Sequence, residues 1–137
     1  MKIRQVMETR FVAAEADATC ASLAQRMVAG LVSGVTVTDD QGQVIGVVTE
    51  HDILKALLDR DDGLFTAAKE IMRPQPICLD ADAAIDQAID LMNGHGILPI
   101  PVISQGRLVG TMSRSDVLRA YIAEQSEIFA LTPNFDD

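Results

Sequence analysis

Two short segments of the chain each place a hydroxyl residue three positions before an aspartate. The pair is Thr49 and Asp52 in the first segment and Ser113 and Asp116 in the second. This spacing is typical of a capping box, in which the hydroxyl caps a helix and the carboxylate bonds back to the cap. For a single such motif, a purely structural cap is the more frequent explanation. The full segments are GVVTEHD at residues 46–52 and GTMSRSD at residues 110–116.

The same positions also suit ligand chemistry. The first turn of a helix displays free backbone N–H groups and the positive end of the helix dipole, which attract phosphate or ribose oxygens. An aspartate in that turn can accept hydrogen bonds from both hydroxyls of a ribose. Because a hydroxyl side chain can cap a helix and line a pocket at once, the two explanations are compatible. The occurrence of the motif twice in one chain favours a ligand site.

The charges around the two motifs differ. Glu50 lies inside the first motif, where its carboxylate would repel phosphate. Arg114 lies inside the second and can donate a charge-assisted hydrogen bond to phosphate, although a solvated surface arginine is an equal alternative. We therefore expect the second motif to be the better site for an anionic ligand. His51 can reach a ligand phosphate but is more often inert at such a position, and His95 is expected to end a helix.

The two motifs belong to an internal repeat. Met7 is matched by Met72, 65 positions later, and the offset falls to 64 after a turn, as for Gly46 and Gly110. A polar stretch at residues 59–63 separates the copies, followed by a short helical segment at about residues 65–72. We expect a first repeat over residues 1–62, a second over residues 63–123 and a tail over residues 124–137.

Each copy predicts the element order β-α-β-β-α. The hydrophobic spacing predicts one apolar helix stripe per copy, and the β-rich runs around polar turns predict one hairpin per copy. The fold class is therefore mixed α/β (α+β), with two repeats packed through their sheets because one copy alone is too small to be stable. The predicted first strands are residues 11–13 and 76–78, and the predicted first helices are residues 20–27 and 85–92. The predicted hairpin strands are residues 35–38, 44–49, 100–103 and 108–112. The residues predicted on the inner faces of the second helices are Leu54, Leu58, Leu118 and Ile122.

Composition narrows the classes of partner. The chain has 20 acidic and 11 basic residues and a formal charge of -9, which disfavours nucleic acid as a partner. The sequence contains no apolar run of the roughly 20 residues that span a bilayer, and its start lacks the apolar segment of a signal peptide, so we expect a cytoplasmic protein without membrane contact. Cys20 and Cys78 are expected to be buried, reduced thiols.

The repeated order of these signals resembles a tandem pair of cystathionine-beta-synthase (CBS) repeats, also called a Bateman module, over about residues 3–123. The resemblance implies a pseudo-two-fold module with two clefts, each able to hold AMP, ADP, ATP, S-adenosylmethionine or another adenosine compound. It implies that Asp52 and Asp116 bind ribose hydroxyls, and that Thr49 and Ser113 contact ribose or phosphate.

The resemblance also implies where adenine lies. The ring is expected against the two strand starts and the strands that follow, at Phe11, Val12, Pro76, Ile77, Val35 and Ile100. Phe11 and Ile77 equally fit a simple core role. Relatives often carry His or Arg two or three residues before a Pro-Val pair, which is Thr36-Val37 in the first copy here and Pro101-Val102 in the second. This chain has Ser33, Gly34, Leu98 and Pro99 at those positions. Strong binding of a triphosphate is therefore not expected.

The resemblance implies a regulatory sensor, expected to report on cellular energy state, that modulates a partner protein. A homodimer is expected, because four such repeats commonly form a disc. The alternative is a dimerisation scaffold whose motifs are only helix caps. We expect no catalysis, no cofactor and no metal, since no nucleophile, base and acid set is present. The C-terminal residues, with Ile128, Phe129, Leu131 and Phe135, are expected to pack on the dimer or on a partner.

Overall fold

The computed structural model describes residues 1–94 and 99–125, and in this part of the chain two copies of one mixed α+β unit follow each other. The predicted element order and fold class are confirmed. The first copy comprises β1 (Ala13–Glu15), α1 (Cys20–Gly30), β2 (Gly34–Thr38), β3 (Val44–Thr49) and α2 (Glu50–Asp59). The connection comprises α3 (Ala68–Ile71) and β4 (Arg73–Pro74), and the second copy comprises β5 (Leu79–Asp80), α4 (Ile85–Gly94), β6 (Ile100–Ser104), β7 (Arg107–Met112) and α5 (Arg114–Glu124).

Each copy builds a small sheet around a hairpin. The sheet orders are β1-β2-β3-β4 and β5-β6-β7, with a parallel first pair and an antiparallel hairpin in both. In the first hairpin the Asp39 carboxylate accepts from the backbone N–H groups of Gln41 and Gln43, both at 2.9 Å. Gly42 and Gly106 take φ values of 79° and 80°, which only glycine adopts without strain. Both hairpins were predicted.

The apolar stripes of α1 and α4 lie in two separate cores. Leu23 and Met27 of α1 are buried in the first core, and Ala88 of α4 is buried in the second. Both stripes were predicted at these positions. Cys20 is buried and Cys78 half-buried, both are free, and burial raises the pKa of each thiol, which keeps them protonated.

Two predictions of local structure need correction. The first strands start later than expected, since β1 begins at Ala13 and β5 at Leu79, and Pro76 lacks the N–H group that a ladder needs. The second helices, α2 and α5, bury a different apolar stripe from the predicted one, and this stripe contains Ile53 and Val117. The residues predicted on the inner face, Leu54, Leu58, Leu118 and Ile122, are exposed. Capping at the two motifs fixes where α2 and α5 begin, and the helical phase from that start turns these residues outward.

The segment that leads into each repeat crosses to the sheet of the other copy. Ile3 is buried in the second core, and the Glu8 and Thr111 main chains exchange hydrogen bonds of 2.9 and 3.0 Å. Correspondingly, Ala68 is buried in the first core, and Arg73 pairs with Val47 of β3. The crossing joins the two copies through main-chain and core contacts. Among the described residues, no helix has the length and apolarity that crossing a membrane requires.

Candidate functional site

The second motif forms a complete capping box. Ser113 follows β7 in extended conformation and caps α5, and its Oγ accepts from the Asp116 N–H at 3.3 Å. Asp116 Oδ2 accepts from the Ser113 N–H at 2.8 Å and from its hydroxyl at 3.0 Å. Asp116 is only 5% exposed, so these bonds hold a carboxylate in a partly desolvated position at a helix N-terminus.

The first motif has the same geometry. Thr49 caps α2, its Oγ1 accepts from the Asp52 N–H at 3.3 Å, and Asp52 Oδ2 accepts from the Thr49 N–H at 2.8 Å and its hydroxyl at 2.9 Å. The capping interpretation is therefore confirmed for both motifs. His51 and Glu50 are exposed on the first turn of α2.

The second motif opens onto a cavity of about 400 Å³ between the repeats. Ser113, Arg114 and Asp116 line it from the second repeat, and Ser33 lines it from the first. Polar groups of one repeat thus face the loop after α1 of the other. The remaining lining residues are Glu8, Leu31, Val32, Pro99, Thr111 and Ser115.

An adjoining cavity of about 200 Å³ is predominantly apolar. Three of the residues expected to contact adenine, Pro76, Ile77 and Ile100, line this cavity together. Pro99 lines both cavities, so both reach the residue that precedes β6. The other lining residues are Val47, Arg73, Pro74, Gln75, Leu91 and Pro101.

The expected site residues of the first repeat lie apart from these two cavities. Asp52 lines a separate pocket of about 230 Å³ with charged residues of α2, among them Lys55. Val12 packs against the first core, and Val35 is fully buried in it. Phe11 is half-buried beside Val12. The structure therefore brings together more of the expected residues at the second motif than at the first. His95, Leu98 and the predicted packing residues of the tail, Ile128, Phe129, Leu131 and Phe135, lie outside the described residues.

Arginines contact both capping aspartates, but from different elements. Arg73 of β4 reaches across to Asp52, with Nε 3.4 Å from Oδ2 and Nη2 3.3 Å from Oδ1. Arg119 of α5 contacts Oδ1 of Asp116 from the next turn of the same helix. The Asp52 carboxylate is thus spanned on both oxygens by a residue from the connection between repeats.

Glu8 and Arg73 are two charged site residues that were not among the residues predicted from the sequence. Glu8 follows Met7 and Arg73 follows Met72, so the two occupy equivalent positions in the repeat. The repeat alignment therefore contained a signal for them. Their importance depends on the crossing of the two leading segments, which carries Glu8 to the second motif and Arg73 to the first.

A family model of the CBS domain matches residues 3–59 and again residues 68–123. The chain belongs to the CBS domain family. Paired CBS domains are regulatory modules rather than catalytic ones. An uncharacterized 17.7 kDa protein of Acidianus ambivalens is 30% identical over 122 residues, covering 88% of this chain and 73% of that protein.

Solved structures of CBS pairs have the same fold. A putative acetoin utilization protein from Vibrio cholerae superposes with a TM-score of 0.84 at 21% identity and covers 97% of this chain and 98% of its own. CBSX2 of Arabidopsis thaliana in complex with AMP has a TM-score of 0.80 at 22% identity, covering 90% and 98%. The CBS pair of protein MJ0100, solved with 5-methylthioadenosine and S-adenosyl-L-methionine, has a TM-score of 0.78 at 21% identity, covering 90% and 98%.

Proposed function

We propose that this protein binds an adenosine compound in the cleft at the second motif and uses it to regulate a partner protein. The main support is that Ser113, Arg114 and Asp116 line a cavity between the repeats at the N-terminus of α5. AMP, 5-methylthioadenosine and S-adenosylmethionine occur in solved CBS pairs of the same fold, which supports adenosine as the common element.

The two adjoining cavities suit the two halves of an adenosine. The apolar cavity with Ile77 and Ile100 would take the adenine ring, and the polar cavity would take the ribose at Asp116. Ligand sites typically combine apolar walls with a few placed polar groups, and their volumes run from about 300 Å³ upward. The polar cavity alone, at about 400 Å³, lies within this range. Pro99 would lie at the junction of base and sugar.

Acceptor capacity favours Asp116 over Asp52 as the ribose ligand. An ionised carboxylate offers about four lone-pair positions. In Asp52, Oδ2 accepts hydrogen bonds from Thr49, and Arg73 contacts both carboxylate oxygens. In Asp116, Oδ2 accepts hydrogen bonds from Ser113, and Arg119 contacts only Oδ1. Asp116 therefore retains more capacity to accept a ribose hydroxyl without breaking an existing contact.

Thermal unfolding with adenosine, AMP, ATP and S-adenosylmethionine tests this proposal. A ligand at 100 times its Kd stabilises the folded state by about 2.7 kcal/mol, which raises the melting temperature measurably. Asp116→Ala is expected to abolish the shift. Asp52→Ala is the matched control, because each variant loses one capping box at a cost of about 1 kcal/mol but only the first loses the site. No shift with any compound would contradict the proposal.

A dimerisation scaffold is the second candidate, favoured by exposed apolar side chains on α2 and α5. Leu58 of α2 is 85% exposed and Leu118 of α5 is 62% exposed, and each belongs to a group of exposed apolar residues on its helix. The group on α2 also contains Leu54 and Leu57, and the group on α5 also contains Tyr121 and Ile122; together we call them the apolar face. We propose that the apolar face packs against a second copy, so the sensor would also be a homodimer.

Light scattering of Leu58→Asp and Leu118→Asp tests the dimer. Each variant should halve the measured mass, since a charge would be buried at the interface. Val28→Asp on α1 is the control, because Val28 is equally apolar and 77% exposed but lies on another helix. A monomeric parent at micromolar concentration would contradict the dimer.

We further propose that the module acts in the cytoplasm and that its ligand reports on cellular energy or methyl-donor state.

A further inference from the structure

The two segments that lead into the repeats end in residues of opposite charge, Glu8 in the first and Arg73 in the second. Glu8 and Arg73 both follow a methionine. Their main chains pair with equivalent residues of the opposite hairpin strands, Thr111 and Val47. The backbone contacts are equivalent, so the difference between the two positions is one of side-chain charge. Arg73 turns to the capping aspartate of the first motif, whereas Glu8 lines the cleft of the second.

The Glu8 carboxylate is held in place at this cleft. Its Oε1 accepts from the Arg10 backbone N–H at 2.7 Å, which restrains the side chain of this cavity-lining residue. The Arg10 guanidinium lies 3.7 Å from the same oxygen but is 95% exposed, so solvent screens that ion pair and leaves much of the carboxylate charge in effect. Glu8 is half-buried and shares the cavity with Arg114.

The cleft therefore presents one cation and one anion beyond the ribose-binding Asp116. Arg114 can pair with an anionic group of the ligand, and Glu8 can pair with a cationic one. A phosphate carries only negative charge and would meet the Glu8 carboxylate unfavourably. Arg114 can attract the phosphate, but Ser33, which also lines the cavity, adds no second positive charge to offset that repulsion.

We infer that Glu8 sets the ligand preference of the second cleft towards adenosine compounds with an amino-acid substituent at the 5′ position, and against 5′-phosphates. An amino-acid group carries an ammonium for Glu8 and a carboxylate for Arg114. This inference rests on the proposed function, because it assumes that the ribose binds at Asp116. It makes Glu8 a specificity-determining residue of that cleft.

Titration calorimetry on the full chain tests the inference with S-adenosylmethionine, S-adenosylhomocysteine and AMP. The parent should bind the two amino-acid compounds at least about tenfold more tightly than AMP, the effect of one charge contact in a partly screened site. Glu8→Gln should bring the affinities together, by weakening the amino-acid compounds and strengthening AMP. The glutamine keeps the main-chain bonds to Thr111, so the fold is preserved.

Asp40→Asn is the matched control, because it removes the same charge at an exposed hairpin position. It should leave the ratio of the affinities unchanged. If the parent binds AMP as tightly as S-adenosylmethionine, or if Glu8→Gln leaves the ratio within twofold of the parent value, the inference is wrong while adenosine binding stands. If neither amino-acid compound nor AMP binds the parent, the proposed function fails and the inference fails with it.

Discussion

The two leading segments, residues 1–8 and 66–74, occupy equivalent places in the fold but differ in size and charge. Ile3 fills the second core where its counterpart Ala68 fills the first. Glu8 lines the second cleft where Arg73 spans the carboxylate of the first motif. The main-chain contacts that hold the segments are alike in both repeats. The repeated backbone thus fixes the architecture, and the side chains that it carries are free to make the two sites chemically different.

The largest difference in stability is expected at the core positions of these segments. Ile3 is 0% exposed, so Ile3→Ala should lower the free energy of unfolding by about 2–5 kcal/mol through lost burial and a cavity. Ala68→Ile should cost about 1–3 kcal/mol by overpacking instead. Urea unfolding measures both. Equal, small losses in the two variants would mean that the leading segments are not held in the cores.

Gly110 and Gly46 contact the two leading segments, and replacing each by alanine should destabilise the fold to a different extent. A Cβ at Gly110 would lie 2.6 Å from Met7 Sδ and 2.9 Å from the Glu8 carbonyl oxygen, whereas a Cβ at Gly46 would meet side-chain atoms of Met72. A flexible methionine can move, but a backbone oxygen in a strand pairing cannot. Gly110→Ala should therefore destabilise by about 1–3 kcal/mol and Gly46→Ala by less. Thermal unfolding checks the order, and the reverse order would contradict this packing.

Removing the arginine that spans the first motif should have a smaller effect. Arg73 is partly exposed, so Arg73→Gln should cost about 1 kcal/mol or less. The Asp52 carboxylate would gain acceptor capacity, and the first motif should then bind adenosine measurably. Calorimetric stoichiometry detects this as an increase in sites per chain. An unchanged stoichiometry would mean that Arg73 does not limit the first motif.

The smallest effect is expected from an exposed ion pair that ties the N-terminus to the second repeat. The Arg4 guanidinium hydrogen-bonds to Asp82 and, by that bond and its charge, lowers the pKa of this carboxyl. A lowered folded-state pKa stabilises the fold above the unfolded-state pKa, and the contribution is lost as pH falls through the folded-state value. Asp82→Asn should therefore unfold slightly more easily than the parent at pH 7 and equally at about pH 2. A difference that persists in acid would contradict this origin.

The sequence was sufficient for elements with a strong local signal. The helix stripes through Leu23 and Ala88, both hairpins and both capping boxes depend on residues a few positions apart, so their spacing predicts them. The inner face of α2 was predicted wrongly because Ile53 and Leu54 both fit an apolar stripe. Spacing alone cannot choose between them; the start of the helix decides.

Long-range placement was beyond sequence reasoning. The contact between Arg73 and Asp52 spans 21 positions and exists because β4 pairs with β3. The presence of Glu8 at the second motif likewise depends on a short segment without periodicity crossing to the other sheet. The resemblance to CBS repeats predicted which motif residues bind ligand, but the unequal surroundings of the two motifs became visible only in three dimensions.

A crystal structure of the chain grown with S-adenosylmethionine is the most direct measurement of where adenosine binds. We expect ribose hydroxyls within hydrogen-bonding distance of Asp116 and adenine beside Ile77 and Ile100. Ligand bound at Asp52 with the second cleft unoccupied, or ligand outside both clefts, would contradict it.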